Sequence, residues 1–198
     1  MHRSSRFFCF FLIALFHAKA LAQPQEVTVT VPIAVTPAEA WTKLSDFSLA
    51  HNYVPGLSDT RIMSERREGV GAHRRVYDED GGFLEETIIA WLPQQGFTLK
   101  LHDGEEPMFP FERAEFRYAI SADDDNNTLM QLSLLFEMPL GTVGFRLGDW
   151  FVRPVIEDQL VQVAAGIKYF YETGAPANDG TRAENAGAVL VTPATDMP

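Results

Sequence analysis

Residues 26–44 read EVTVTVPIAVTPAEAWTKL, and two periodicities meet inside this stretch. Val27, Val29, Val31, Ile33 and Val35 alternate with Thr28, Thr30, Pro32 and Ala34. A period of two marks a strand with one buried and one wet face. Pro32 has no N–H to give to a ladder, which points to an edge position or a bulge. The pattern then switches at once. Thr36 suits a helix N-cap, Pro37 the first helical position and Glu39 the reciprocal capping-box position. A short helix to about Leu44 is expected, with Ala40, Trp41 and Leu44 turned inward.

Beyond it, Asp46 can cap a second short helix through Phe47, Leu49 and Ala50, ended by Pro55-Gly56. Strands are expected near 58–66, 72–79, 83–92, 96–102, 112–121 and 128–138. Gly69 and Gly71, Asp80-Gly81-Gly82, Gln94-Gln95-Gly96 and the Asp123–Asn127 run supply the turns, and Asp103-Gly104 opens a longer loop with Pro107 and Pro110. Met130, Leu132, Leu134, Phe136 and Met138 share one strand face; Ala114, Phe116, Tyr118 and Ile120 share another. These are half-wet antiparallel strands that need a cover. The cover is helical, from about Thr142 to Glu172, with Leu160, Val163, Ala164, Ile167, Phe170 and Tyr171 at three- and four-residue steps. Pro154 either kinks this helix or starts its main part, and Gly174 stops it. Ala175 to Pro198 is small and polar without periodicity, so a mobile tail is expected.

The chain has 198 residues, 46% hydrophobic and 22% charged. That is ordinary composition for one globular domain, and it excludes a disordered, collagenous or coiled-coil chain. Met1 to Ala22 reads as a secretory signal: Arg3 and Arg6, the apolar run Phe7–Phe16, then Ala20-Leu21-Ala22 as a cleavage pattern. The run is too short to span a bilayer. A periplasmic or secreted location is therefore expected, with a domain over 23–174 and no membrane span after cleavage. Removing Arg3, Arg6 and Lys19 leaves 13 basic against 27 acidic side chains, a net of -14. No basic face suggests nucleic acid. Cys9 is the one cysteine and lies in the signal, so thiol chemistry and disulfides are not expected in the mature protein.

The order of strand, two short helices, six strands and one long helix resembles the SRPBCC (START/Bet v 1-like) superfamily, in particular its polyketide cyclase/dehydrase and lipid-transport branch. The residues that carry the resemblance are Thr36–Trp41 (TPAEAW), Leu44–Phe47 (LSDF), Tyr53–Gly56 (YVPG), Gly69-Val70-Gly71 with His73-Arg74-Arg75, Gly82–Thr87 (GFLEET) and Gly166–Glu172 (GIKYFYE). They cover about Glu26 to Gly174. The resemblance implies an α+β helix-grip fold: a curved antiparallel sheet of about seven strands around a long C-terminal helix, with a cavity between them. The alternative is that phenylalanine, leucine and methionine side chains fill that gap.

His73, Arg75 and Tyr77 lie two apart and share one strand face; Arg74 and Val76 share the other. With Glu86 on the next strand, His73 and Arg75 would bind an acidic or carbonyl ligand and move protons if they faced the cavity. The alternative is a wet face with cross-strand Arg–Glu pairs. Phe83 to Leu92 is apolar on both faces, so register stays open there. Phe116, Tyr118, Leu134, Phe136, Leu160, Ala164 and Ile167 complete the candidate lining. His51 and His102 read as surface residues. The spacing of His51, His73 and His102 is not that of a zinc site, and no metal or cofactor is expected. Asp123-x-Asp125-x-Asn127 lacks the glycine and glutamate of a calcium loop, Gly69-x-Gly71 lacks a dinucleotide context, and no G-x-S-x-G elbow occurs.

Three functions remain. The first is an exported binder or carrier of a small hydrophobic or amphipathic ligand. The second, implied by the resemblance, is an accessory protein of a periplasmic oxidation system, whose acidic surface would steer it to a basic partner. The third is a cyclase or dehydratase using Glu86, His73 and Tyr118 as acid–base groups.

Overall fold

The computed structural model describes residues 24–193; the expected signal and residues 194–198 lie outside the described residues. The opening alternation forms β1 (Gln25–Ile33), with Val27, Val29, Val31 and Ile33 fully buried. Thr36 caps α1 (Pro37–Leu44): its hydroxyl accepts the Glu39 N–H, and the Glu39 carboxylate accepts the Thr36 N–H at 2.9 Å. Asp46 starts no second α-helix. Its carboxylate accepts from the Ser48 N–H at 3.1 Å and the Ser48 hydroxyl at 2.6 Å, closing a turn instead. That turn leads into a single 3₁₀ turn, Ala50–Asn52.

The chain then runs through β2 (Leu57–Ile62), β3 (His73–Asp78), β4 (Phe83–Leu92), β5 (Gly96–Asp103), the two-residue β6 (Glu106–Pro107), β7 (Arg113–Ala122) and β8 (Thr128–Glu137). Helix α2 (Gly141–Leu147) passes through a π-helical turn, Gly148–Val152, into α3 (Arg153–Thr173). Pro154 sits in the first turn of α3, where its missing N–H costs nothing. Gly174, at φ 77°, ends the helix.

The sheet is open and antiparallel, in the order β2-β3-β4-β5-β7-β8-β1-β9, with β6 paired to β5. Strand β9 is Leu190–Val191. Seven long strands thus carry two short additions. Strands β1 and β2, neighbours in the chain, lie towards opposite edges, and α1 with the 3₁₀ turn spans between them. Helix α3 lays Ile156, Leu160, Val163, Ala164, Ile167, Phe170 and Tyr171 on the sheet, chiefly over β1 and β8. The Lys43 ammonium donates to the carbonyls of Phe170 (3.2 Å) and Tyr171 (2.6 Å), a cation at a helix C-terminus that also fastens α1 to α3.

The two-sided apolarity of β4 has a simple cause. A bulge between Ile88 and Ala90 shifts the ladder, so Ile88 and Trp91 both reach the inner face, Trp91 opposite Phe97.

The expectation of a mobile tail from Ala175 is corrected over 175–193. Helix α4 (Asp179–Ala186) is capped by Asn178 and Thr181, and Arg182 is buried. The Ala177 N–H reaches the Asn52 carbonyl at 2.8 Å, and the Thr192 N–H reaches that of Thr28 at 2.9 Å. Apolar periodicity carried no sign of this because the anchoring side chain is an arginine. Among the described residues, no helix is long and apolar enough to cross a membrane.

Candidate functional site

Strand β3 reads HRRVYD, with a charge on each face. The structure turns Arg74 and Val76 inward, at 2% and 4% exposure. His73, Arg75 and Tyr77 therefore lie on the outer face, half-buried, which corrects their expected place beside Glu86 in the lining. The reason is register. Arg74 stands opposite Glu86, and Arg75 opposite Glu85. The inner arginine is neutralised by Glu86, whose side chain is 12% exposed, and Nε donates to its carboxylate.

A buried guanidinium needs more than one partner. Arg74 Nη1 donates to the Phe47 carbonyl at 2.7 Å, and the guanidinium carbon lies 4.1 Å from the centroid of the Phe47 ring. Burial opposes the charge of Arg74, yet the Glu86 carboxylate raises its pKa above the ordinary value. The Tyr53 and Tyr118 hydroxyls lie close to each other and to the Arg74–Glu86 pair. Burial raises the pKa of both phenols, Tyr118 the more strongly. Tyr171, on α3, completes the group. Burial raises its pKa too, and its hydroxyl has no hydrogen-bond partner among the described residues. The interior therefore holds one compensated ion pair and three protonated phenols. It can donate O–H bonds to a carbonyl, hydroxyl or ether, and the Arg74 charge is already matched by Glu86.

Apolar walls surround this polar centre. Phe116, Tyr118, Leu134, Phe136, Leu160, Ala164 and Ile167 all sit between the sheet and α3, Phe116 half-buried and the others buried. Phe97 links several rings: its centroid lies 5.1 Å from Tyr118, 5.4 Å from Trp91 and 6.1 Å from Phe47. Outside Phe47, an open cleft of about 440 Å³ is lined by Thr42, Ser45, Asp46, Phe47, Ile62, Arg67 and Glu68. Phe47 belongs both to the cleft and to the polar centre.

On the outer face, His73 and His102 come together with ring centroids 5.6 Å apart, beside Glu85. The expectation that His102 is a surface residue is corrected: the chain around Gly104 covers it, and its Nδ1 lies 2.7 Å from the Gly104 carbonyl. His51 stays apart, its Nδ1 3.2 Å from the Thr60 hydroxyl.

Sequence reasoning missed Arg74, Tyr53 and Phe47 and took Tyr171 only as an apolar position. A signal for Arg74 existed, since Arg74 and Glu86 each lie six residues from Asp80, the midpoint of the β3–β4 register.

The family of polyketide cyclase / dehydrase and lipid transport proteins matches residues 24–168, and the chain belongs to it. Among curated proteins, none matches the chain in sequence. Several solved structures share the fold. A START superfamily protein from Mycobacterium smegmatis is 19% identical, covering 76% of this chain and 99% of its own, at a TM-score of 0.58. The ZhuI aromatase/cyclase from Streptomyces sp. R1128 is 15% identical over 76% and 94%, also at 0.58. Ara h 8.0201 is 15% identical over 75% and 98%, again at 0.58.

Proposed function

We propose that this member of the family is an exported protein that binds a small amphipathic ligand between the sheet and α3. The ligand's apolar body lies against Phe97, Leu134 and Ile167, and its polar end meets the phenols beside Arg74. The observation that carries this reading is the Tyr171 hydroxyl, buried beside Tyr53 and Arg74 without a partner among the described residues. A buried hydroxyl left unpaired costs about 1–3 kcal/mol, and a ligand oxygen would remove that cost. Because Glu86 already neutralises Arg74, the matching group is a neutral acceptor such as a ketone, quinone or ester carbonyl. The cleft outside Phe47 is the entry, and displacement of the Phe47 ring opens it.

The test is native mass spectrometry of the mature protein from its own source, before and after mild denaturation. A reproducible extra mass released on unfolding is expected, together with a thermal shift on adding carbonyl-bearing apolar compounds. A clean apo mass, with no shift against quinones, fatty acids or aromatic polyketide mimics, would overturn the reading.

A second reading, docking onto a protein partner of an exported oxidation system, draws on a different observation. Leu140, Val143, Trp150, Phe151 and Val155 lie along the segment from the start of α2 to the first turn of α3 and are all exposed, Trp150 at 77% and stacked on Phe151. Trp150→Lys would then abolish association with that partner and leave the retained mass unchanged.

A further inference from the structure

The outer face of the sheet carries a second constellation, separate from the interior centre. His73 opens β3, Glu85 lies in β4 and His102 in β5. Glu85 stands directly opposite His102, and His73 is diagonal to Glu85, opposite Thr87. Three adjacent strands thus place two imidazoles and a carboxylate on one face. Their nearest ligand atoms all lie within 4.8 Å of one another. His73 Nε2 is 3.8 Å from Glu85 Oε1, and His102 Nδ1 is 3.6 Å from Glu85 Oε2. Atoms bound to one zinc-sized ion are roughly 3.0–3.5 Å apart, so a small side-chain adjustment closes the set once His102 Nδ1 gives up its proton.

Two features distinguish this group from an accidental cluster. His73 Nε2 is buried and has no hydrogen-bond partner among the described residues, although it faces a carboxylate. His102 is held on both ring nitrogens: Nε2 lies 2.8 Å from the Thr87 hydroxyl and Nδ1 2.7 Å from the Gly104 carbonyl. Such partners fix the ring of a ligating histidine. A carbonyl only accepts, so Nδ1 carries the proton and donates it to Gly104 while Nε2 accepts from the Thr87 hydroxyl. An ion binds Nδ1 by displacing that proton and its bond to Gly104. The Gly104 N–H donates to Glu85 Oε2 at 3.0 Å, and Arg75 donates to Oε1 at 2.7 Å, so the carboxylate is oriented and ionised. Arg75 opposes a cation by its charge. Asp103, Glu105 and Glu106, exposed on the adjoining segment, offset it.

We propose that His73, Glu85 and His102 form a site for a divalent transition-metal ion, zinc or a similar borderline ion. Two imidazole nitrogens and one carboxylate match that class rather than calcium or magnesium. The ion would staple β3, β4 and β5 together on the face opposite the ligand interior.

The experiment is a titration of the tag-free mature chain with Zn²⁺ and, separately, Co²⁺. One ion per chain is expected, with a rise in Tm that grows with free Zn²⁺ and a visible Co²⁺ absorption band from a site of low coordination number. His73→Ala and Glu85→Gln should each weaken Zn²⁺ at least about tenfold, with unchanged far-ultraviolet circular dichroism. His51→Ala should bind as the unaltered chain does. Absence of Zn²⁺ binding at micromolar concentration in the unaltered chain would overturn the proposal without any variant. So would equal affinity in a folded His73→Ala.

Discussion

Arg74 is clamped by Phe47: Nη1 donates to the Phe47 carbonyl at 2.7 Å while the guanidinium carbon stacks 4.1 Å from the centroid of the same residue's ring. One residue of the α1–β2 connection therefore holds a strand's buried cation by both backbone and side chain. That couples the segment lining the cleft to the charge at the centre of the fold.

Replacing Arg74 with Met leaves Glu86 inside the protein without its counter-charge. A loss of about 3–5 kcal/mol is expected in urea unfolding, the usual cost of removing one partner of a buried pair. Adding Glu86→Leu should recover most of it. The double variant should fold and still retain any ligand that the unaltered chain retains, because the phenols rather than the matched ion pair hold its polar end.

Tyr171→Phe removes a buried hydroxyl that has no partner among the described residues. In the ligand-free chain, stability should rise by about 1 kcal/mol, seen as a higher urea midpoint at an unchanged slope. A fall of that size would mean that the hydroxyl is paired after all.

Alkaline stability follows from the phenols. Burial, first among the causes, raises the pKa of Tyr53, Tyr118 and Tyr171 in the folded chain. The unfolded chain titrates its tyrosines at about 10. A raised folded value means that this contribution to stability is complete below the unfolded pKa and is lost as pH rises through the folded pKa. Phenolate absorbance from these three should thus appear only as the circular dichroism of the fold disappears. Smooth ionisation of all tyrosines in a folded chain would contradict it.

Gly166 lies where α3 passes the backbone of Tyr53. A Cβ there would stand 2.2 Å from the Tyr53 carbonyl oxygen, which is rigid backbone. Gly166→Ala should cost about 3 kcal/mol or more in chemical denaturation, despite the better helix propensity of alanine. It should also disturb the Tyr53–Tyr118 contact.

Arg182→Ala tests the order of the C-terminal segment. Arg182 is 6% exposed and its Nη1 donates to the Ala177 carbonyl at 3.0 Å. Losing a charged hydrogen bond with its packing should cost about 2 kcal/mol and speed proteolysis after Gly174. A tail with no fixed packing would show no change.

By itself the sequence determined most of the elements and their order, though not the turn at Asp46 or the ordered segment after Gly174. The valine alternation of β1, the Thr36–Glu39 capping box, the turn glycines and the apolar steps of α3 are local patterns, set by backbone geometry within a few residues. That order was enough for the family resemblance and for the expectation of an interior between sheet and helix. Only the tertiary structure decided which face of β3 is the inner one. His73, Arg75 and Tyr77 alternate with Arg74 and Val76, and both sets carry charge, so a period of two cannot choose between them. The choice rests on whether an inward arginine can be neutralised and hydrogen-bonded. Its partners, Glu86 and Phe47, are 12 and 27 residues away. The meeting of His73 with His102 has the same origin. It depends on the pairing of three strands and on a loop that covers the outer face, and spacing along a chain carries neither.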